Sequence, residues 1–152
     1  MKKIGIAILA GAILLGACKK NKEVTATSSE KEPERQMLVV NQLQVNMDYR
    51  PTKTDPFQIV SAVTEGDSLI VMAQYGGGCE VHEFSLMSNG LYLKSLPMQL
   101  NLTIEHKANN DMCRALLTQR LAFDISSVKQ KSSKEILLII NDDSENKVTY
   151  KY

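Results

Sequence analysis

Between Leu96 and His106 the chain alternates. Leu96, Met98, Leu100, Leu102, Ile104 and His106 fall on one face, and Pro97, Gln99, Asn101, Thr103 and Glu105 on the other. A period of two sends every second side chain to the same side of an extended backbone, whereas a helix would scatter these positions around its circumference. The stretch is therefore a half-buried strand, and it requires partner strands to bury its apolar face.

Those partners are visible in the same pattern. Leu43 to Tyr49 alternates with apolar residues at the odd positions, His82, Phe84 and Leu86 alternate against Glu83 and Ser85, and Leu121, Phe123 and Ile125 supply one face of a further strand. Phe57 to Val63 and Ser68 to Tyr75 flank Thr64-Glu65-Gly66-Asp67, and Glu135 to Ile140 and Val148 to Tyr152 flank the polar run 141–146, so both pairs read as hairpins. Ala108 to Gln119 is read as carrying a helical turn. The expected fold is all-β, an antiparallel sandwich of seven to eight strands, immunoglobulin-like in format, with a partly open barrel as the alternative. The roughly 116 residues from Met37 onward suffice for a core of their own.

The start of the chain has a different character. Lys2 and Lys3 precede an uncharged, small and aliphatic stretch from Ile4 to Ala17, the layout of a secretory signal. As a helix it would reach only about 21 Å, short of the ~30 Å hydrocarbon core of a bilayer. Residues 19–36, KKNKEVTATSSEKEPERQ, hold only Val24 and Ala26 as apolar residues among five positive and four negative charges. That is too little burial to offset the entropy of ordering, so this segment reads as a flexible tether with an r.m.s. span of about 25 Å. The resulting division is 1–17 as signal peptide, 18–36 as anchor and tether, and 37–152 as a single β-domain.

Leu15-Gly16-Ala17-Cys18 resembles the lipobox of bacterial lipoproteins. The resemblance implies that the Cys18 thiol is diacylglycerated, that the chain is cut just before it, and that the new amino group is acylated, commonly with palmitate. Several acyl chains together make a lasting membrane anchor. Lys19, in place of the aspartate that retains such proteins in the inner membrane, implies the outer membrane, with the domain facing the periplasm and surface exposure as the alternative. Cleavage removes Lys2 and Lys3 and turns 18 positive against 17 negative charges into 16 against 17, a net charge of −1. A near-neutral domain lacks the single-sign field that nucleic-acid binding needs.

With Cys18 used by the anchor, Cys79 and Cys113 remain as an even pair in an oxidising compartment, and a disulfide is expected. Cys79 follows three glycines and precedes Glu80-Val81-His82, and Cys113 stands beside Asp111. Pairing Leu86 with Leu102 and Phe84 with Ile104 sets His82 opposite His106, so that the only two histidines share one sheet end. Three readings stay open for this cluster. The histidines cap the sheet beside a disulfide; or Cys79, His82, His106 and Cys113 form a Cys₂His₂ zinc site, or His82, His106, Asp111 and Glu80 a histidine–carboxylate metal or ligand site; or a cysteine–histidine dyad acts as nucleophile and base. The methionines lack the close spacing of a copper site, and the glycines are not followed by the Lys-Ser/Thr of a phosphate loop.

The combination Gly-Gly-Cys-x-x-His at 77–82, Glu-His at 105–106, Asp-Met-Cys-Arg-Ala at 111–115 and Phe-Asp-Ile-Ser at 123–126 resembles a group of uncharacterised small bacterial envelope lipoproteins. The resemblance implies that Cys79, His82, His106, Asp111 and Cys113 belong to one constellation. No nucleophile, base and orienting group stand together in sequence. The expectation is a non-enzymatic envelope lipoprotein, anchored to the membrane, binding a protein or glycan and needing no cofactor. The alternatives are an inhibitor of a periplasmic or host hydrolase and a zinc-binding envelope protein.

Overall fold

The structure, a computed structural model, describes residues 37–39 and 42–152; the signal segment, Cys18 and the tether lie outside the described residues. Ten strands form among them: β1 (Met37–Val39), β2 (Gln44–Val45), β3 (Gln58–Glu65), β4 (Ser68–Gly77), β5 (Glu83–Ser88), β6 (Tyr92–Leu93), β7 (Met98–Lys107), β8 (Ala115–Asp124), β9 (Glu135–Ile140) and β10 (Lys147–Lys151). One 3₁₀ turn, Ser126–Val128, is the only helical element among the described residues.

Two sheets result, one in the order β1-β8-β4-β3 and the other β10-β9-β7-β5-β2, with β6 pairing alongside β7. The architecture is a sandwich, not a closed barrel, and it has more strands than its alternation suggests because β2 and β6 are two-residue pairings. Three pairings are parallel, β1 with β8, β2 with β5 and β7 with β9. The last follows from the route of the chain: β7 crosses to the other sheet as β8 before returning as β9, and a parallel neighbour requires such a crossover.

Alternate residues of the central strands fill the space between the sheets. Leu69, Val71 and Ala73 of β4 and Leu121 and Phe123 of β8 meet Leu86 of β5, Leu100, Leu102 and Ile104 of β7 and Ile136, Leu138 and Ile140 of β9, all essentially without solvent contact. The β3–β4 hairpin turns on Gly66 at φ 57°, a conformation glycine adopts without cost. Asp67 in that turn accepts hydrogen bonds from Tyr150 Oη at 2.6 Å and Lys129 Nζ at 2.8 Å, and its carbonyl accepts from the Ile125 amide. These contacts pin the first hairpin to the last strand at the end of the sandwich remote from the histidines.

Three expectations are corrected. The strand over 43–49 shrinks to Gln44–Val45, because Asn46 accepts the Asp48 amide on its side chain and the Tyr49 amide on its carbonyl, closing a turn that leaves Met47 exposed. The long strand begins at Met98, not Leu96, which is fully exposed before a cis Leu96–Pro97 bond. No helical turn occupies 108–119: Asn109 and Asn110, at φ 52° and 60°, make a tight turn, and β8 starts at Ala115.

Candidate functional site

Two connections run side by side at one end of the sandwich, and both cross between the sheets. Residues 78–82 lead from β4 to β5, and 108–114 from β7 to β8. The pairings of Gly77 with Ala115 and Glu83 with Lys107 bring them together. Cys79 and Cys113 join them in a disulfide with their Cα atoms 5.9 Å apart.

The β5–β7 register places Phe84, not His82, opposite His106, and Leu86 opposite Ile104. This is a slip of two residues from the expected pairing, and His82 lies just before the strand begins. A two-residue slip leaves every side chain on its original face. The two imidazoles therefore still meet, with His82 Nδ1 2.8 Å from His106 Nε2. His82 is 7% exposed and His106 2%. Tyr75 stacks on His82 at 4.5 Å and Phe84 on His106 at 4.4 Å, and Phe57 meets His106 edge-on.

Asp111 ties the loops to the pair. Its side chain has no solvent exposure. Oδ2 accepts the amides of Gly78 (2.7 Å), Cys79 (2.9 Å) and Glu80 (3.0 Å) and contacts His82 Nε2 at 3.1 Å, and Oδ1 accepts the Cys113 amide at 2.8 Å. Those N–H groups, Glu80's foremost and then Cys113's, hold the carboxyl far below the usual carboxylate range against the opposing effect of burial. At the far end of the chain of contacts, His106 Nδ1 lies 3.2 Å from the Asp55 carbonyl. Burial lowers the proton affinity of His106, and the charge of His82 adds to that, while the Asp55 carbonyl opposes it.

Of the residues singled out from sequence, Cys79, Cys113, His82, His106 and Asp111 come together. Glu80 enters only through its backbone amide, and its side chain is exposed. Tyr75, Thr54 and Asp55 belong to the same cluster without having been singled out from sequence, and Gly77, the first residue of the Gly-Gly-Cys-x-x-His pattern, packs against it. Thr54 and Asp55 arrive on an irregular segment with no periodic signal, and both bond the backbone of His106.

The arrangement is poor for a metal. A zinc ion stands about 2.0–2.1 Å from each imidazole nitrogen, and two nitrogens in mutual contact at 2.8 Å leave no room between them. Cys79, Asp111 and Cys113 lie close enough to share an ion, but the sulfurs are bonded to each other and the carboxylate oxygens are taken. The same disulfide removes the thiolate that a cysteine–histidine dyad requires. Beside the cluster, and lined in part by its own Asp55, His106, Asp111 and Cys113 together with Pro56, Gly76 and Met112, lies an open depression of about 360 Å³. Met112 (88% exposed), Val81 (78%) and Leu116 (72%) present apolar side chains at this end.

Residues 40–152 match the family described as the NigD-like C-terminal β-sandwich domain. The chain belongs to that family. Solved structures share the NigD-like fold: a NigD-like immunity protein from Bacteroides caccae (16% identity, TM-score 0.52), a toxin-related protein from Parabacteroides distasonis (21%, 0.51) and a protein of unknown function from Bacteroides vulgatus (17%, 0.52). The alignments cover 74%, 76% and 76% of this chain and 59%, 60% and 56% of those proteins, so this chain spans less than two thirds of their length. No curated protein matches the chain. None of the three descriptions names an enzyme.

Proposed function

We propose that the protein is a lipid-anchored envelope lipoprotein whose NigD-like sandwich is a non-enzymatic binding module, with the disulfide-stapled end as its contact surface. In this reading residues 1–17 are a signal peptide, Cys18 carries the lipid, 18–36 form anchor and tether, and 37–152 are the displayed domain, held at the outer membrane and facing the periplasm. The partner is an envelope protein or glycan.

The observation that carries the reading is the state of the polar groups at that end. The histidines and the aspartate are engaged with one another and the two sulfurs are joined, while apolar side chains, Met112, Val81 and Leu116, are offered to solvent at the same end, Met112 on the rim of an open depression. Chemistry needs a reactive group within reach of substrate, whereas a recognition surface needs shape and exposed apolar area on a rigid support. The description of one fold relative as an immunity protein also points toward binding rather than catalysis.

Envelope extracts passed over the protein and over a Met112→Asp/Leu116→Asp variant test the contact surface. A stoichiometric partner held by the first and released by the second, with both folded by circular dichroism, is the expected result; equal capture overturns the surface. Palmitate labelling tests the anchor, and should disappear in Cys18→Ser. Equal labelling of the two chains overturns it.

A further inference from the structure

Four ring nitrogens and three contacts fix a proton count. His82 Nε2 faces the Asp111 carboxylate at 3.1 Å, His82 Nδ1 faces His106 Nε2 at 2.8 Å, and His106 Nδ1 faces the Asp55 carbonyl at 3.2 Å. Both outer partners are acceptors with no proton to give, since four amides keep Asp111 ionised and a peptide carbonyl has no hydrogen. His82 Nε2 and His106 Nδ1 must therefore both be N–H. The central contact needs one proton and has room for only one, because two N–H groups cannot point at each other across 2.8 Å. The total is three protons, one more than two neutral imidazoles carry.

We infer that His82 and His106 share one proton and bear a single positive charge between them at neutral pH, with Asp111 as buried counter-ion, so that the disulfide-stapled end is a latch sensitive to pH in both directions. Its surroundings suit a monocation. Tyr75 from β4 and Phe84 from β5 stack their π-faces on the two rings. The Tyr75 hydroxyl is directed to Gln119, and the Asp55 carboxylate accepts the Ala108 amide. Asp111 contacts His82, and Asp55 acts on His106. Asp111, 3.1 Å from His82 Nε2, places the counter-ion at the His82 end of the pair.

The consequence for stability has two signs. In the unfolded chain each histidine titrates near 6.5, so the two together hold about one extra proton at that pH, the same as the folded pair. Above it the folded state binds more protons than the unfolded, and stability falls as pH rises through the value at which the pair loses its shared proton. Below it the unfolded state binds more, and stability falls as pH drops. Each limb approaches a tenfold change in the unfolding constant per pH unit. When either contact breaks, the Asp111 link between the loops loses its histidine support. The inference concerns the protein's own protons and is independent of which partner this end binds.

Nitrogen-15 NMR of the full-length protein with labelled histidine decides it without any substitution. Between pH 6 and 7 three ring nitrogens should show the shifts of N–H groups and one that of a bare nitrogen, with scalar coupling between His82 Nδ1 and His106 Nε2. Two bare nitrogens, or four N–H groups, in that range would overturn the shared proton. The second readout is denaturant unfolding of the same protein from pH 5 to pH 9, compared with His82→Gln/His106→Gln. The logarithm of the variant's unfolding constant divided by that of the wild type should trace a dome centred near pH 6.5; a flat or monotonic difference overturns the latch. Should that variant fail to fold, the NMR result alone decides.

Discussion

A Cβ at Gly77 would fall 2.4 Å from His82 Nε2 and 2.8 Å from Asp111 Oδ2, at a backbone φ of 154° that side-chain-bearing residues rarely adopt. One position thus carries two requirements, a bare backbone beside the histidine–aspartate pair and a glycine dihedral. Gly77→Ala should cost about 2–4 kcal/mol, from strained backbone and displaced neighbours together, read as a shift in the denaturant midpoint at constant slope. Gly76, next to it, has open space where a Cβ would stand and no unusual φ. Gly76→Ala should therefore shift the midpoint by a few tenths of a kcal/mol at most. The sequence shows three consecutive glycines, and nothing in their order says which is indispensable. That depends on what approaches from elsewhere in the chain, and Asp111 becomes a neighbour of Gly77 only through the fold.

At the level of strands and loops, the alternation in β7 and the polar turns between β3 and β4 and between β9 and β10 were legible because each is local. The β5–β7 register was misread by two because the pattern of faces is blind to even slips, and for the same reason the meeting of His82 and His106 survived the error. The parallel pairings were not legible, since a parallel neighbour is never adjacent in sequence. The first half of β8 was mistaken for a turn because its side chains alternate little in burial, with Leu116 exposed on the surface. The disulfide links the two crossing loops across a separation of 34 residues. On the chain-entropy account its reduction should remove about 3–4 kcal/mol of stability. Equilibrium unfolding with and without reductant checks this, and thiol reagents should find neither Cys79 nor Cys113 until reductant is added.

For the molecule as a whole, the core is shared by both sheets. Phe123 and Leu102, fully buried on opposite sheets, belong to one cluster. Phe123→Ala should cost about 3–5 kcal/mol, enough to consume much of the stability of a domain this size, and thermal unfolding should show it as a large fall in midpoint. The order of the strands also bears on how the chain is delivered. β1 pairs with residues 120–122, Leu43 bonds Asp124, and Tyr150, almost the last residue, is fully buried with its hydroxyl on Asp67. A chain made amino end first can form the β3–β4 hairpin and the β2–β5 pairing early, but β1 has no strand partner until β8 is made, and the Tyr150 bond to Asp67 waits for β10. Closure of the two sheets on one another therefore waits for β8 to β10, whatever pairs locally before them.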